Sequence, residues 1–433
     1  MKGKTNEKRH ELTRRDFIKT SAALGAASLA VGTNRIFAAG SDKVRIGLIG
    51  CGGRGTHDTT KCLNSAENVE LVAMGDLFKD RVDRCRRNLK RNLSDKVKVT
   101  EDKCFVGWDA HKKVVGCDDV DMVILTEPPH FRPGHLKAAI EAGKHVFMEK
   151  PVAVDPVGVR SVIASSELAD RKGLTIGAGT QMRRISHLVE GIKSIHDGAI
   201  GELVGGQCVR SSGGMLGWGP KKREPNWSDM EWQLRRWLFL TWLSGDFITE
   251  MHVHNLDVMN WAFGGPPVQC MGMGGREVRT APEYGNAFDH FAVEYEYPNG
   301  VRVEYMGYQI DCPIDRNDQR LVGTKGRAYT DFGRVVIEGQ NKAEYAWDRI
   351  DPCLKQHAEQ IAAIRQGKRL NEGRRIAEST LTSIMGRMSA YTGRALKFDW
   401  AMKASKLDLS PPKYEFGDLP MRPVAVPGKT RLI

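Results

Sequence analysis

From about residue 43 the chain alternates short unbroken apolar runs with amphipathic stretches. "KVRIGLIG" (43–50) reads as a buried strand, "THDTTKCL" (56–63) as a helix, and "VELVAMGD" (69–76) as a second strand. The rhythm continues through "VDMVILTEPPHF", "GHLKAAIEAGKHVFMEKPVA" and "SELADRKGLTIGAG", predicting strands at 121–126, 145–148 and 174–178 with helices between them. Continuous apolar strands separated by helices are the pattern of a doubly wound parallel sheet, covered on both faces. After about residue 181 the pattern changes. "GELVGGQCVRSSG", "FDHFAVEYEYPNGVRVEYMGYQI" and "QRLVGTKGRAYTDFGRVVIEG" read as strands joined by turns, with Pro298-Asn299-Gly300 as a hairpin signal. The expected fold class is therefore α/β: an N-terminal doubly wound domain, then an α+β domain with an open, mostly antiparallel sheet. The tail "SPPKYEFGDLPMRPVAVPGKTRLI" is rich in proline, which cannot continue a helix, and reads as a strap across a surface or a neighbouring subunit. These shifts divide the chain into 1–40, 41–180, 181–400 and 401–433.

The first βα junction carries specific chemistry. Gly50-Cys51-Gly52-Gly53-Arg54-Gly55 has the spacing G-x-G-x-x-G, directly after a strand and before a helix. Glycines there permit a tight turn, a close approach of backbone to a pyrophosphate, and close helix–strand packing; the helix N-terminus offers free N–H groups to the phosphates. Asp76 closes the second strand 21 residues after Gly55, where a carboxylate binds the adenosine ribose. It accepts from a 2′-hydroxyl and repels a 2′-phosphate, favouring NAD over NADP, although Lys79 and Arg81 nearby leave NADP open. Two further segments fall at the carboxyl ends of strands, where such sheets bind ligands: "TEPPHF", with Pro128 and His130, and "MEKP", with Glu149 and Lys150.

Residues 1–40 follow different rules. "TRRDFIK" (13–19) pairs two arginines with a short Ala/Gly-rich apolar stretch that is too short to span a bilayer. It matches the twin-arginine pattern, an address read by a translocation machinery that carries folded proteins. Ala38, Ala39 and Gly40 supply small residues for cleavage. The formal charge of +12 shrinks once this segment is set aside: it holds eight Lys/Arg against three acids, leaving about +7 spread without a basic run. No nucleic-acid motif and no stable membrane span is expected. Nine scattered cysteines, with no C-x-x-C pair, do not form a disulfide frame.

These residues together resemble the glucose–fructose oxidoreductase/myo-inositol dehydrogenase (Gfo/Idh/MocA) family. The resemblance rests on GLIGCGGRG, Asp76, TEPPHF and above all Glu149-Lys150-Pro151, whose lysine is the family's usual acid/base. A second landmark, D-x-G-x-H-x-x-D, reads here Glu250-Met251-His252-Val253-His254-Asn255-Leu256-Asp257, with Glu250 replacing Asp and His252 replacing Gly. The resemblance implies a bound NAD(P), a sugar, glycoside or polyol substrate, a C-terminal domain that builds an oligomer interface, and an exported homo-oligomer.

Oxidising a secondary alcohol removes the hydroxyl proton as hydride leaves, so a base must lie within about 3 Å of the oxygen. Lys150 and His254 are the natural proton carriers, and Glu250 and His254, at i and i+4 of a helix, would share a face. Candidate catalytic residues are thus Lys150, His254 and Glu250. Cofactor-binding candidates are Gly50 through Gly55, Asp76, Pro128, His130, Glu149 and Lys150. Arg183, His252, His254, Asp257 and Trp237 are substrate candidates, with Arg184 beside Arg183. His252 and His254 lack a third metal ligand at diagnostic spacing, so no metal is expected. Five of the nine tryptophans, Trp218, Trp227, Trp232, Trp237 and Trp242, crowd one stretch and suit either a sugar pocket or a packed core. Two other functions use the same features: a glycosidase that oxidises a sugar transiently at C3, and a non-catalytic sugar-binding protein.

Overall fold

A computed structural model describes residues 42–433 apart from 216, 218, 220–221 and 312–315. The twin-arginine segment and Trp218 lie outside the described residues. In the first half, β1 (Val44–Ile49), α1 (Gly53–Ser65), β2 (Val69–Asp76), α2 (Lys79–Leu93), β3 (Cys104–Val106) and α3 (Ala110–Val115) are followed by β4 (Met122–Leu125), α4 (Arg132–Glu141), β5 (His145–Met148), α5 (Pro156–Lys172) and β6 (Ile176–Ala178). The strands form one parallel sheet in the order β3-β2-β1-β4-β5-β6. Its order reverses between β1 and β4, where a crevice opens at the carboxyl ends. Val44, Ile46 and Leu48 are wholly buried, as a strand covered on both faces requires. Asp155 caps α5 by accepting from the Gly158 amide at 2.7 Å, Pro156 fills its first position, and Gly173 ends it at φ 66°.

The second half contains α6 (Ser186–His196), β7 (Leu203–Ser212), α7 (Asp229–Arg235), α8 (Thr241–Ser244), α9 (Phe247–Glu250) and α10 (Val253–Ala262). There follow β8 (Gln269–Gly275), β9 (His290–Glu296), β10 (Arg302–Gln309), β11 (Asn317–Gly323), β12 (Gly326–Thr330), β13 (Arg334–Gly339) and β14 (Ala343–Ala346), then α11 (Pro352–Arg365), α12 (Gly373–Thr392), β15 (Leu396–Lys397) and α13 (Phe398–Lys403). The nine strands run β14-β13-β12-β11-β7-β10-β9-β8-β15, antiparallel except for the β7–β10 pair. The expected hairpin joins β9 to β10, with Asn299 at φ 67° in its turn. A continuous apolar core runs from the first sheet through α12 to the second. A smaller one gathers Met230, Leu234, Phe239, Trp242 and Leu243 in the stretch between β7 and α9.

One buried histidine makes folding pH-dependent. His357, on α11, is wholly buried against Phe147, and burial pulls its imidazole down to about 3. It folds neutral, whereas in the unfolded chain it protonates below about 6.5. As pH falls through that value the unfolded state gains the proton first, and the stability present at neutral pH is lost progressively. Between pH 7 and 5 this amounts to roughly 2 kcal/mol. We expect His357→Gln to reduce the difference between urea stabilities measured at pH 7 and pH 5 by about that amount. An unchanged difference would show that His357 titrates normally in the folded protein.

Candidate functional site

The glycine turn has little slack. Gly50 stands at φ +94°, and a Cβ there would meet the Glu127 amide nitrogen at 2.4 Å. A Cβ on Gly55 would reach the Gly50 carbonyl at 2.0 Å, so helix α1 can approach β1 only through glycine. Around Gly52 and Gly53 the space is open: a Cβ on Gly53 would touch nothing within 4 Å. The turn is thus closed toward the protein and open toward the crevice, which is the shape a pyrophosphate needs. Asp76 fixes it from the side, accepting from the Cys51 amide at 2.7 Å and the Phe78 amide at 2.9 Å. Burial pushes its carboxyl up, and those two amides pull it back down.

From this turn a cavity of about 760 Å³ extends toward the second sheet, within the range of small-molecule and cofactor sites. Gly50, Gly52, Gly53, Arg54, Asp76 and Pro128 line one end; Glu149, Lys150, Glu250, His254 and Trp237 also line it. Cys51 and Gly55 belong to the turn but face away from the cavity. The ammonium of Lys150, only 9% exposed, donates to the Glu250 carbonyl at 2.8 Å and to Glu250 Oε1 at 3.1 Å. Arg54 pairs with Glu149 at 3.4 Å and with Asp58 at 3.6 Å. Burial raises the Glu149 carboxyl and Arg54 opposes that rise. His254 is buried with no hydrogen-bond partner for Nδ1 among the described residues. Burial, and then the Lys150 charge, hold its imidazole well below the usual range, so it is neutral at pH 7.

The structure corrects the sequence-based picture in four places. Glu250 and His254 do not share one helix: α9 ends at Glu250, and α10 begins at Val253 after Met251 and His252. Both still reach the cavity. His252 turns the other way, its Nδ1 2.5 Å from the Tyr305 hydroxyl, with the side chain wholly buried and away from the cavity. Arg183 and Asp257 are spent on each other. Asp257 takes Arg183 Nε at 2.8 Å, Arg375 at 3.1 Å and the Ser379 hydroxyl at 2.7 Å, and these cations hold its carboxyl down at about 2. Arg184 is likewise committed, to Glu359 and Glu372. His130 lies outside this cavity too. Its Nε2 is 2.8 Å from the Tyr414 hydroxyl, and it lines a second cavity of about 540 Å³ beneath the C-terminal tail. These pairings span 53 to 284 residues, which local pattern does not reveal.

The tryptophans divide. Trp237 lines the cavity, Trp242 is core and donates to Gln233 at 2.8 Å, and Trp227 stacks on Trp232. Sequence reading missed the cavity residues Arg210, Glu127 and His135. Arg210, on β7, donates to the Met251 carbonyl at 2.9 Å and to Asn255 at 3.1 Å. Glu127 faces His135 at 3.2 Å, directly beside the glycine turn. Glu127 stands inside "TEPPHF", at a strand end, and that position was its only signal. No group of three or more metal-ligating side chains gathers among the described residues, and none of their helices is long and apolar enough to cross a membrane. Their eight cysteines are free.

Comparison with known proteins agrees with this geometry. Residues 44–180 match the family model described as "oxidoreductase family, NAD-binding Rossmann fold", and residues 192–329 match the Gfo/Idh/MocA C-terminal domain. Residues 11–31 match the twin-arginine translocation signal sequence, which directs export by that pathway. The chain is 28% identical over 228 residues to 2,7-anhydro-N-acetylneuraminate hydratase of Escherichia coli, covering 52% of this chain and 56% of that protein. It is 24% identical over 282 residues to inositol 2-dehydrogenase of Serratia proteamaculans, covering 63% of this chain and 71% of that one. The match to the hydratase thus spans little more than half of its length. In fold it is similar to aldose-aldose oxidoreductase of Caulobacter crescentus, with TM-score 0.64 and 18% identity over 82% of this chain and 99% of that one. A glycine turn after β1, a carboxylate at the end of β2, the Glu-Lys-Pro strand end and two consecutive domain matches place this chain in the Gfo/Idh/MocA family of NAD(P)-binding oxidoreductases.

Proposed function

We propose that the protein is an exported dehydrogenase that oxidises or reduces a secondary hydroxyl of a sugar, glycoside or polyol and works in the periplasm with its NAD held tightly. The observation that carries this reading is one cavity lined by both the glycine turn with Asp76 and the cluster of Lys150, Glu250 and His254. When bound, a nicotinamide supplies the hydride acceptor or donor. Lys150 moves the proton: as the amine it takes the proton from the substrate hydroxyl, and as the ammonium it returns it. Glu250 holds the Lys150 Nζ in place through two contacts. His254, kept neutral, orients the hydroxyl without competing for the proton. Asp76 favours a ribose with a free 2′-hydroxyl, hence NAD. The inositol dehydrogenase relative supports a polyhydroxylated substrate.

A second reading is favoured by the hydratase relative: the same residues could run a redox-neutral elimination, as in a glycosidase that oxidises C3 transiently. Sugars, polyols and aryl glycosides added to the purified protein separate the two. A nicotinamide absorbance change without bond cleavage supports the dehydrogenase. Steady release of the aryl group without net redox supports the glycosidase. Neither signal, with sugar still bound, would leave a non-catalytic sugar-binding protein.

The open face of the second sheet supports a homo-oligomer. Met273 on β8, Ala292 on β9 and Met306 on β10 stand side by side there, with Met273 68% exposed. Two solvated methionines flanking an alanine across three strands are what a second copy would cover. Met273→Glu with Met306→Glu should lower the sedimentation coefficient to that of a monomer. An unchanged coefficient would put the interface elsewhere.

A further inference from the structure

We propose that the C-terminal tail, residues 407–420, is an intramolecular clasp that sets how slowly the nucleotide leaves. This rests on the reading that the 760 Å³ cavity holds a dinucleotide. Phe78, Trp108 and Phe131 line the adenosine end of that cavity, beside Asp76. The tail packs against the same three rings. Phe416 lies 5.5 Å from Trp108 and 6.0 Å from Phe78, and Tyr414 lies 6.0 Å from both Trp108 and Phe131.

The tail then crosses to the opposite wall. Helix α7 presents Leu234 and Arg235 to the cavity, and the tail holds α7 by three hydrogen bonds. The Met230 amide donates to the Gly417 carbonyl at 3.1 Å, the Gln233 side chain donates to the Leu419 carbonyl at 2.6 Å, and the Leu419 amide donates to Asp229 at 3.2 Å. One segment therefore ties together two walls that belong to different halves of the chain. Arg235 adds a second tie, stacking on Phe78 at 4.0 Å and pairing with Asp80 at 3.2 Å.

The clasp is itself anchored. Leu409 donates to Asp155 at 2.8 Å, and Tyr414 meets His130 at 2.8 Å. Yet Tyr414 and Phe416 remain nearly half exposed, at 46% and 48%, so the segment can peel without unfolding the core. Because the same three rings line the cavity and meet the tail, peeling would free the walls to part. A nucleotide loaded before export would then be kept by contacts that lie outside its own site.

The test uses the nucleotide-loaded protein and a Tyr414→Ala/Phe416→Ala variant, each diluted into excess labelled NAD while release of bound nucleotide is followed. Release from the variant should be at least about tenfold faster, equivalent to about 1.4 kcal/mol in the barrier. Rates within twofold of each other would overturn the clasp. Should the variant fail to fold, hydrogen exchange on the unaltered protein decides: amides of residues 410–420 should exchange more slowly in the loaded than in the nucleotide-stripped form, and equal exchange would overturn the proposal. If the unaltered protein neither carries nor binds NAD, the functional reading fails, which is a different result from loaded proteins that release at one rate.

Discussion

Lys150→Ala should lower turnover by about 10³-fold while leaving the nucleotide content and the far-ultraviolet circular dichroism spectrum unchanged. The size follows from what the side chain does. Within the cavity, Lys150 is the cation held by Glu250, next to the neutral His254, and no other described lysine lines that cavity. His254 is a poor substitute, because its burial, which the substitution leaves in place, keeps its imidazole from holding a proton near neutral pH. Removing the amine leaves the hydroxyl proton with no acceptor as hydride departs. Binding should survive, because the cradle is built from backbone at Gly50, Gly52 and Gly53 and from Asp76. Stopped turnover with retained nucleotide is the predicted signature. Turnover within tenfold of the unaltered protein would remove Lys150 from the proton path.

Asp257→Ala should destabilise the fold by about 3–5 kcal/mol in urea denaturation, with little change in KM at temperatures where the protein is folded. Its carboxylate is almost fully buried and lies between Arg183 and Arg375, and Ser379 completes its hydrogen bonds. Deleting it leaves the Arg183 guanidinium facing Arg375 without its carboxylate, while Arg375 keeps only Glu372. Asp257→Asn, which keeps the shape and one acceptor, should lose less. The sequence motif alone places Asp257 among the substrate contacts, so the measurement separates the two roles. A raised KM with unchanged urea stability would return Asp257 to the substrate site.

How far the sequence could be read depends on whether a residue's partner is near in the chain. The glycine turn, Asp76 and the strand ends at Glu149 and Lys150 were legible because one βαβ unit fixes them locally. Predicted strands at 121–126, 145–148 and 174–178 correspond to Met122–Leu125, His145–Met148 and Ile176–Ala178. The second landmark was legible only in part. Spacing correctly brought Glu250 and His254 to one place, yet it could not show the break at Met251–His252 that sends His252 toward Tyr305. His130 looked like a crevice residue because it follows a strand end. Its partner is Tyr414, 284 residues away, and no periodicity points there. The tail's composition correctly excluded a helix, but its contacts with α7 and with the crevice aromatics are tertiary and were invisible.

The exported, folded protein is expected to carry a nicotinamide dinucleotide against its first βα turn. Denaturing the purified mature protein and identifying what it releases tests this most directly. Close to one NAD per chain is expected. A protein that yields no nicotinamide nucleotide, and that shows no affinity for one when NAD is added back, would contradict it.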